Sequence, residues 1–303
     1  MKIYIYYIIG AFLLLQSCRD KEKNIYTETP FRRAQNRILE LRNELVNAED
    51  GWLMTYFPDV DTLKFSDPTK NIKTWDNAIY FLSREFGKGG YQFYMKFNDK
   101  GKVEMLSDSD YNNSNVIKTS DFEVKQSTYT QLSFTTQNYI HQLLKSDFLF
   151  WKKDEDGRLI FRTNNYVEEG REYIVLTKVH LENHKPEELM YETYRQKFTF
   201  ERLYNPQLTI KDSEDGIQFK SNLQTRKLST EERYTVFVKN WQPNLYNSSY
   251  YSGLGSGYMP TEKGLLFYPG IKLKDGVVFR EFIKVGNVYK ASAGGYAAEI
   301  TPN

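Results

Sequence analysis

The first periodic stretch of the chain places Phe31, Ala34, Ile38, Leu41 and Leu45 at steps of three and four residues. That spacing predicts one apolar stripe on a helix running from Pro30 to about Ala48. Thr29 and Pro30 suit its N-cap and first helical position. Arg32, Arg33, Arg37, Glu40, Arg42 and Glu44 take the opposite face, and Gly51 ends the element. The period then falls to two. Trp52–Phe57 reads as a strand stopped by Pro58, and residues 78–82 as another short one. Tyr91, Phe93, Met95 and Phe97 alternate with more polar neighbours, Asn98 to Gly101 turns the chain, and Val103 and Met105 return it. Strands follow over 121–126 and 131–134, then a helical period over 135–146 with Tyr139, Ile140, Leu143 and Leu144 on one side. A hairpin turning at Asp154–Gly157 joins 147–151 to 159–162, and 172–179 is again strand-like. Pro186 opens a second helix, to about Gln196. Beyond it the pattern predicts strands at 198–203, 207–211, 216–220, 223–228, 234–238, 265–268, 271–273 and 277–283.

The expected fold is therefore mainly β with a few helices (α+β): two antiparallel β modules, the amphipathic first helix packed on the first of them. No exact repeat exists, but each half carries an aromatic strand, a glycine-containing turn and a returning strand. The division that follows is 1–17 as a signal peptide, 18–29 as a polar tether, 30–185 as the first module and 186–303 as the second. The short Gly51 junction predicts that Trp52 is buried against Leu41 or Leu45. Aromatic residues make up 16% of the chain, led by 24 Tyr and 20 Phe, which argues first for strands and also suits sugar-stacking surfaces.

Composition adds an address. Lys2 and the apolar run Ile3–Leu15 have the form of an export signal, too short to cross a membrane as a helix. Leu15-Gln16-Ser17-Cys18 fits the bacterial lipobox, so Cys18 is expected to be acylated and to become the mature N-terminus. Cys18 is the only cysteine, which leaves no disulfide and no thiol nucleophile. A net charge of +2 with interspersed signs offers no basic stripe, so nucleic acid is not an expected partner.

Several separated motifs point to one family. Gly51-Trp52 with Tyr56, then Gly89-Gly90-Tyr91, Phe97-Asn98 and Gly101-Lys102-Val103, resemble the N-terminal half of the Bacteroidota lipoprotein family of domain of unknown function 4302. Ser127-Thr128-Tyr129, Leu132-Ser133-Phe134 and Tyr139-Ile140-His141 resemble its next block; Thr261 to Tyr268 and the strand through Phe282 resemble its C-terminal block. An inserted segment separates Tyr56 from Gly89, and Glu168 to Tyr173 is a poor match to the family's mid-chain strand. The charged Arg19-Asp20-Lys21-Glu22-Lys23 resembles the sorting tags of surface lipoproteins in the same bacteria. The resemblance implies an outer-membrane, lipid-anchored protein at the cell surface, with the periplasmic face as the alternative, beside a nutrient-importing transporter. It implies no catalytic residues.

The residues offer no strong catalytic signature. His180 and His184 have the spacing of a helical zinc pair, but Leu181 stands where zincins place Glu. Asp108-Ser-Asp-Tyr-Asn112 lacks the glycine and the final glutamate of a calcium loop, and reads as a turn. Gly253-Leu-Gly-Ser-Gly257 fits neither a nucleophile elbow nor a dinucleotide fingerprint. No metal or cofactor is expected. The stretch Trp241–Met259 is rich in Tyr, Ser, Gly and Asn, the composition of adaptable recognition loops, and nominates Trp241, Tyr246, Tyr250, Tyr251 and Tyr258 as ligand-binding residues. The expected function is capture of a glycan or peptide for an adjacent transporter. The alternatives are a surface hydrolase with a carboxylate pair that sequence does not reveal, or a structural envelope subunit.

Overall fold

The computed structural model describes residues 28–58, 60, 89–165, 167–168, 170–226, 233–238, 253–273 and 275–303. Cys18 and the strand expected at 78–82 lie outside them. The chain divides into two compact units, Met1–Arg37 and Ile38–Asn303. Helix α1 (Pro30–Val46) crosses that division. Within the first unit Thr29 Oγ1 accepts from the Arg32 amide at 3.3 Å, the predicted cap, and the Glu28 carboxylate accepts from Asn36 Nδ2 at 3.0 Å.

The second unit contains two eight-stranded antiparallel barrels. The first consists of β1 (Trp52–Phe57), β2 (Tyr91–Phe97), β3 (Lys102–Ser107), β4 (Lys118–Gln126), β5 (Thr130–Phe134), β6 (Asp147–Lys153), β7 (Leu159–Arg162) and β8 (Tyr173–Lys178). Each strand pairs with the next, and β8 pairs back with β1, so no edge is left open. The second runs β9 (Gln207–Lys211), β10 (Ile217–Arg226), β11 (Tyr234–Val238), β12 (Gly253–Thr261), β13 (Gly264–Lys272), β14 (Val278–Val285), β15 (Val288–Ala293) and β16 (Tyr296–Thr301), with β16 closing on β9. Short helix α2 (Tyr111–Asn115) follows β3, a 3-10 helix (Tyr139–Leu143) follows β5, and α3 (Pro186–Glu201) joins the barrels.

Period-two alternation explains both interiors. Trp52, Met54 and Tyr56 point into the first barrel with Phe93, Met95, Phe97, Phe134, Phe148 and Phe161. Leu41, Leu45 and Ala48, from the second half of α1 and the turn after it, join that core, while Tyr139 and Ile140 of the 3-10 helix join it from the β5–β6 connection. Trp52 is fully buried and its Nε1 donates to Leu45 O at 3.0 Å, as the short junction predicts. In the second barrel α3 plays the part of α1: Phe200 enters the core and meets Tyr258 and Tyr289 edge-on at 5.1 and 5.4 Å.

Several local expectations need correction. Residues 198–201 are helical, not the start of a strand, because Met190, Thr193, Lys197 and Phe200 continue a buried 3-4-3 stripe through α3. The strands expected at 216–220 and 223–228 fall in one strand as far as residue 226, and those at 265–268 and 271–273 in another over Gly264–Lys272, each with an internal register shift. The helical period over 135–146 condenses to the 3-10 turn, ended by Leu144 at φ 56° and 90% exposed. Strands β15 and β16 were not expected at all. The signal for them was Gly294-Gly295, whose φ values of 55° and 84° make the two-residue hairpin that joins them.

Candidate functional site

The two barrels are fastened at a buried ion pair. Arg233, just before β11, is 1% exposed, and Asp108, just after β3, is 0% exposed. Arg233 Nη1 donates to Asp108 Oδ2 at 2.6 Å and to Gly90 O at 2.8 Å; Nη2 donates to Asp108 Oδ1 at 3.2 Å and to Asp108 O at 3.1 Å. The second carboxylate oxygen also accepts from the Gln92 amide at 3.2 Å. The guanidinium lies 5.1 Å from the centre of the Tyr91 ring. Main chain crosses the seam as well: Gly90 N donates to Tyr258 O at 3.1 Å, and Tyr258 N in turn donates to Arg233 O at 2.9 Å within the second barrel. Glycine is required at Gly89 and Gly90, because a Cβ on the first would collide with the Arg233 carbonyl and on the second with Phe57 and Met259. Beside this pair, Tyr173 of the first barrel stacks on Tyr268 of the second at 4.1 Å, with Phe57 against both.

Helix α3 is wedged into the same seam. Its Thr193 Oγ1 donates to Gln92 Oε1 at 3.0 Å and its Lys197 Nζ to Ser109 O at 3.0 Å, while Phe200 is held in the second barrel. Between the start of this helix, the outer wall of β1 and β8, and the β12–β14 side of the second barrel lies a groove of about 620 Å³. Its aliphatic lining includes Leu53, Val179, Leu181, Leu189, Leu266 and Ile283, the last 44% exposed. Charges of both signs stand around them: Lys178, His184, Lys263, Glu188, Glu192, Glu262 and Glu281.

Most of these charges are paired. Lys178 Nζ lies 2.8 Å from Glu44 Oε1, and His184 Nδ1 lies 3.1 Å from Glu188 Oε2. The His184 contact holds the Glu188 carboxyl below its ordinary range. Burial pushes Glu192 up, but the fork from Arg195 at 2.8 Å and the Gln196 amide outweigh it, so its net displacement is also downward. Both groups therefore stay ionised near neutral pH, whereas a glycosidase needs one carboxyl kept protonated. Glu281 has no ion-pair partner among the described residues. The described carboxyl displaced upward is Glu172, which burial raises; it sits in the first barrel, accepting from Thr163 N at 2.8 Å, Thr163 Oγ1 at 2.9 Å and Tyr56 Oη at 3.3 Å.

The residues nominated from sequence fare unequally. Trp241, Tyr246, Tyr250 and Tyr251 lie outside the described residues, in the segment whose flanking strands pair at Val238↔Gly253. Tyr258 is not a loop residue. It is 1% exposed inside the second barrel, and its Oη donates to Glu201 Oε1 at 3.1 Å. The glycine-rich run before it is strand β12, and a Cβ on Gly257 would lie only 3.2 Å from Tyr268 O and 3.3 Å from Gly89 Cα, so a larger residue would press the barrels apart there. His180 and His184 follow a strand and precede α3, so helical i,i+4 geometry does not apply to them. Asp110, within the acidic stretch 108–112, caps α2 by accepting from Asn113 N at 2.9 Å. No group of three His, Cys, Asp or Glu among the described residues is placed to hold a metal ion. Sequence reasoning passed over Arg233 and the groove; the Gly89-Gly90 pair was the one visible hint of close backbone approach.

Residues 22–286 match the family model described as Domain of unknown function (DUF4302), a span from before α1 to the end of β14. No curated protein and no solved structure matches the chain.

Proposed function

We propose, for a chain that belongs to the family described as Domain of unknown function (DUF4302), the role of a peptide-capturing module anchored by lipid at the cell surface and serving a nutrient transporter of the outer membrane. The observation that carries this reading is the inter-barrel groove. Its half-buried aliphatic side chains, the exposed Ile283 and its paired charges of both signs match an extended peptide, which offers apolar and charged side chains in turn. A pyranose would be met by Trp, Tyr or Phe rings, and among the described residues none of these lines this groove. The lipobox ending at Cys18 supports the anchor.

The test equilibrates the full-length protein in detergent with a tryptic digest of casein, then removes unbound peptides by ultrafiltration and identifies those retained by mass spectrometry. Wild type should retain a subset, and Ile283→Asp, which puts a charge into the aliphatic lining, should retain about tenfold less. Equal retention by the two proteins would sink the groove as the site. Cell fractionation of Cys18→Ala tests the anchor separately: the variant should leave the membrane pellet, and continued sedimentation would refute lipidation.

A further inference from the structure

On the outer wall of the first barrel, away from the groove, two aromatic rings stand in the open. Gln131 of β5 is paired with Leu149 of β6, and one step further along the same face brings Tyr129 opposite Trp151. Their ring centres are 6.1 Å apart and tilted by 46°, and the residues are 37% and 40% exposed. Leu149, one step inward on the same face, is only 4% exposed. The register of β6 against β7 shifts between Phe150 and Lys152, so Trp151 is the extra residue of a bulge. A bulge breaks the ladder and re-aims a side chain, a cost that cross-strand pairing alone would not call for.

The indole is also held. Arg162 of β7 lays its guanidinium 4.0 Å from the ring centre, and Arg162 is itself 7% exposed with Nη1 donating to Val167 O at 2.7 Å. One face of the indole is thus covered by a fixed cation, and the exposure belongs to the rest of the ring. The Trp151 Nε1–H and the Tyr129 hydroxyl bond to no group among the described residues.

We propose that Trp151 and Tyr129 form a carbohydrate-binding platform. A pyranose has an apolar C–H face bordered by hydroxyl groups. The flat rings suit that face, and the free indole N–H and phenol O–H suit the hydroxyls at its edge. The patch is two rings wide, the size of a sugar unit or two, whereas a stable protein interface needs on the order of 1,000 Å². This site depends on neither the groove nor the lipid anchor.

The experiment runs the full-length protein in detergent through native gels cast with starch, laminarin, xylan, yeast mannan or dextran. At least one polysaccharide should retard wild type. In that gel Trp151→Ala should weaken binding about tenfold or more, and Trp151→Phe, which keeps a flat ring, should lose less. Ile283→Asp should be retarded like wild type. Thermal melts check folding, and should Trp151→Ala fail to fold, Tyr129→Ala takes its place with the same expected loss. Free migration of wild type in all five gels would overturn the proposal, as would retardation undiminished in the folded alanine variants.

Discussion

Replacing Asp108 by Ala should be among the most damaging single changes to this fold. The substitution leaves the Arg233 guanidinium in a site where the residue is 1% exposed, with two carboxylate contacts of 2.6 and 3.2 Å gone. Removing one partner of a buried pair costs about 3–5 kcal/mol, because the remaining charge stays desolvated. The Gln92 amide loses its acceptor at 3.2 Å, an unmade bond that adds about 1 kcal/mol or more. Since about 1 kcal/mol shifts the melting temperature of a domain this large by roughly 2–4 °C, the expected drop is about 8–24 °C. Urea and thermal melts followed by circular dichroism measure it. Asp108→Asn with Arg233→Met removes both charges and should recover most of the loss, because a neutral pair has no charge left to desolvate. A loss under about 1 kcal/mol in Asp108→Ala, or a double variant no better than the single one, would refute the reasoning. The same melts show whether the barrels unfold together: wild type should give one transition, and the variant is expected to separate into two.

Two further outcomes follow from burial. Tyr258→Phe removes the bond to Glu201 at 3.1 Å and should cost about 1–2 kcal/mol in urea melts, while peptide retention stays unchanged; a binding defect without a stability loss would restore the residue to a ligand site. Glu172 has its folded pKa raised by burial, so its stabilising contribution is present below the unfolded value and is lost as pH rises through the folded one. Glu172→Gln should therefore gain stability relative to wild type as pH rises above the ordinary glutamate range, and a difference that does not change with pH would argue against a desolvated carboxyl.

What the sequence made legible was what repeats locally. The steps from Phe31 to Leu45 and the alternation from Tyr91 to Phe97 depend on side chains a few residues apart, and both elements form as read. Strand β12 defeated the same reasoning because its Gly257 lies against the other barrel, while its Ser256 accepts from Gly270 N and donates to Gly257 O inside its own. Its Gly257 is small to admit Gly89, so a residue that reads as loop flexibility records a close approach instead. The Tyr258 nomination failed for the same reason: a tyrosine beside glycines resembles a recognition loop unless its partner Glu201 is known to lie under it. Closure of the barrels was likewise invisible, since β1 pairs with β8 across more than a hundred residues and β9 with β16 across nearly as many. Arg233 carries no local pattern, and the turn-like acidic stretch that opens at Asp108 gives no sign of a partner far along the chain. Their pairing spans 125 positions, and each read alone is an ordinary surface charge.

The groove owes its shape to how few ways the barrels have to move. β8 ends at Lys178 and α3 begins at Pro186, so the connection is short, and the groove's Val179, Leu181 and His184 lie on it. Helix α3 then anchors to the first barrel through Thr193 and Lys197 before ending in the core of the second at Phe200. A hinge between the barrels would have to break those bonds, the Tyr173–Tyr268 stack and the Arg233–Asp108 pair together. They fail only as a set, because all span one seam. The groove is thus held in shape by the seam, and a ligand captured there as proposed would spend little binding free energy on ordering it. If the groove captures peptide as proposed, selection rests with side chains already facing it, among them Leu266, Ile283 and Glu281.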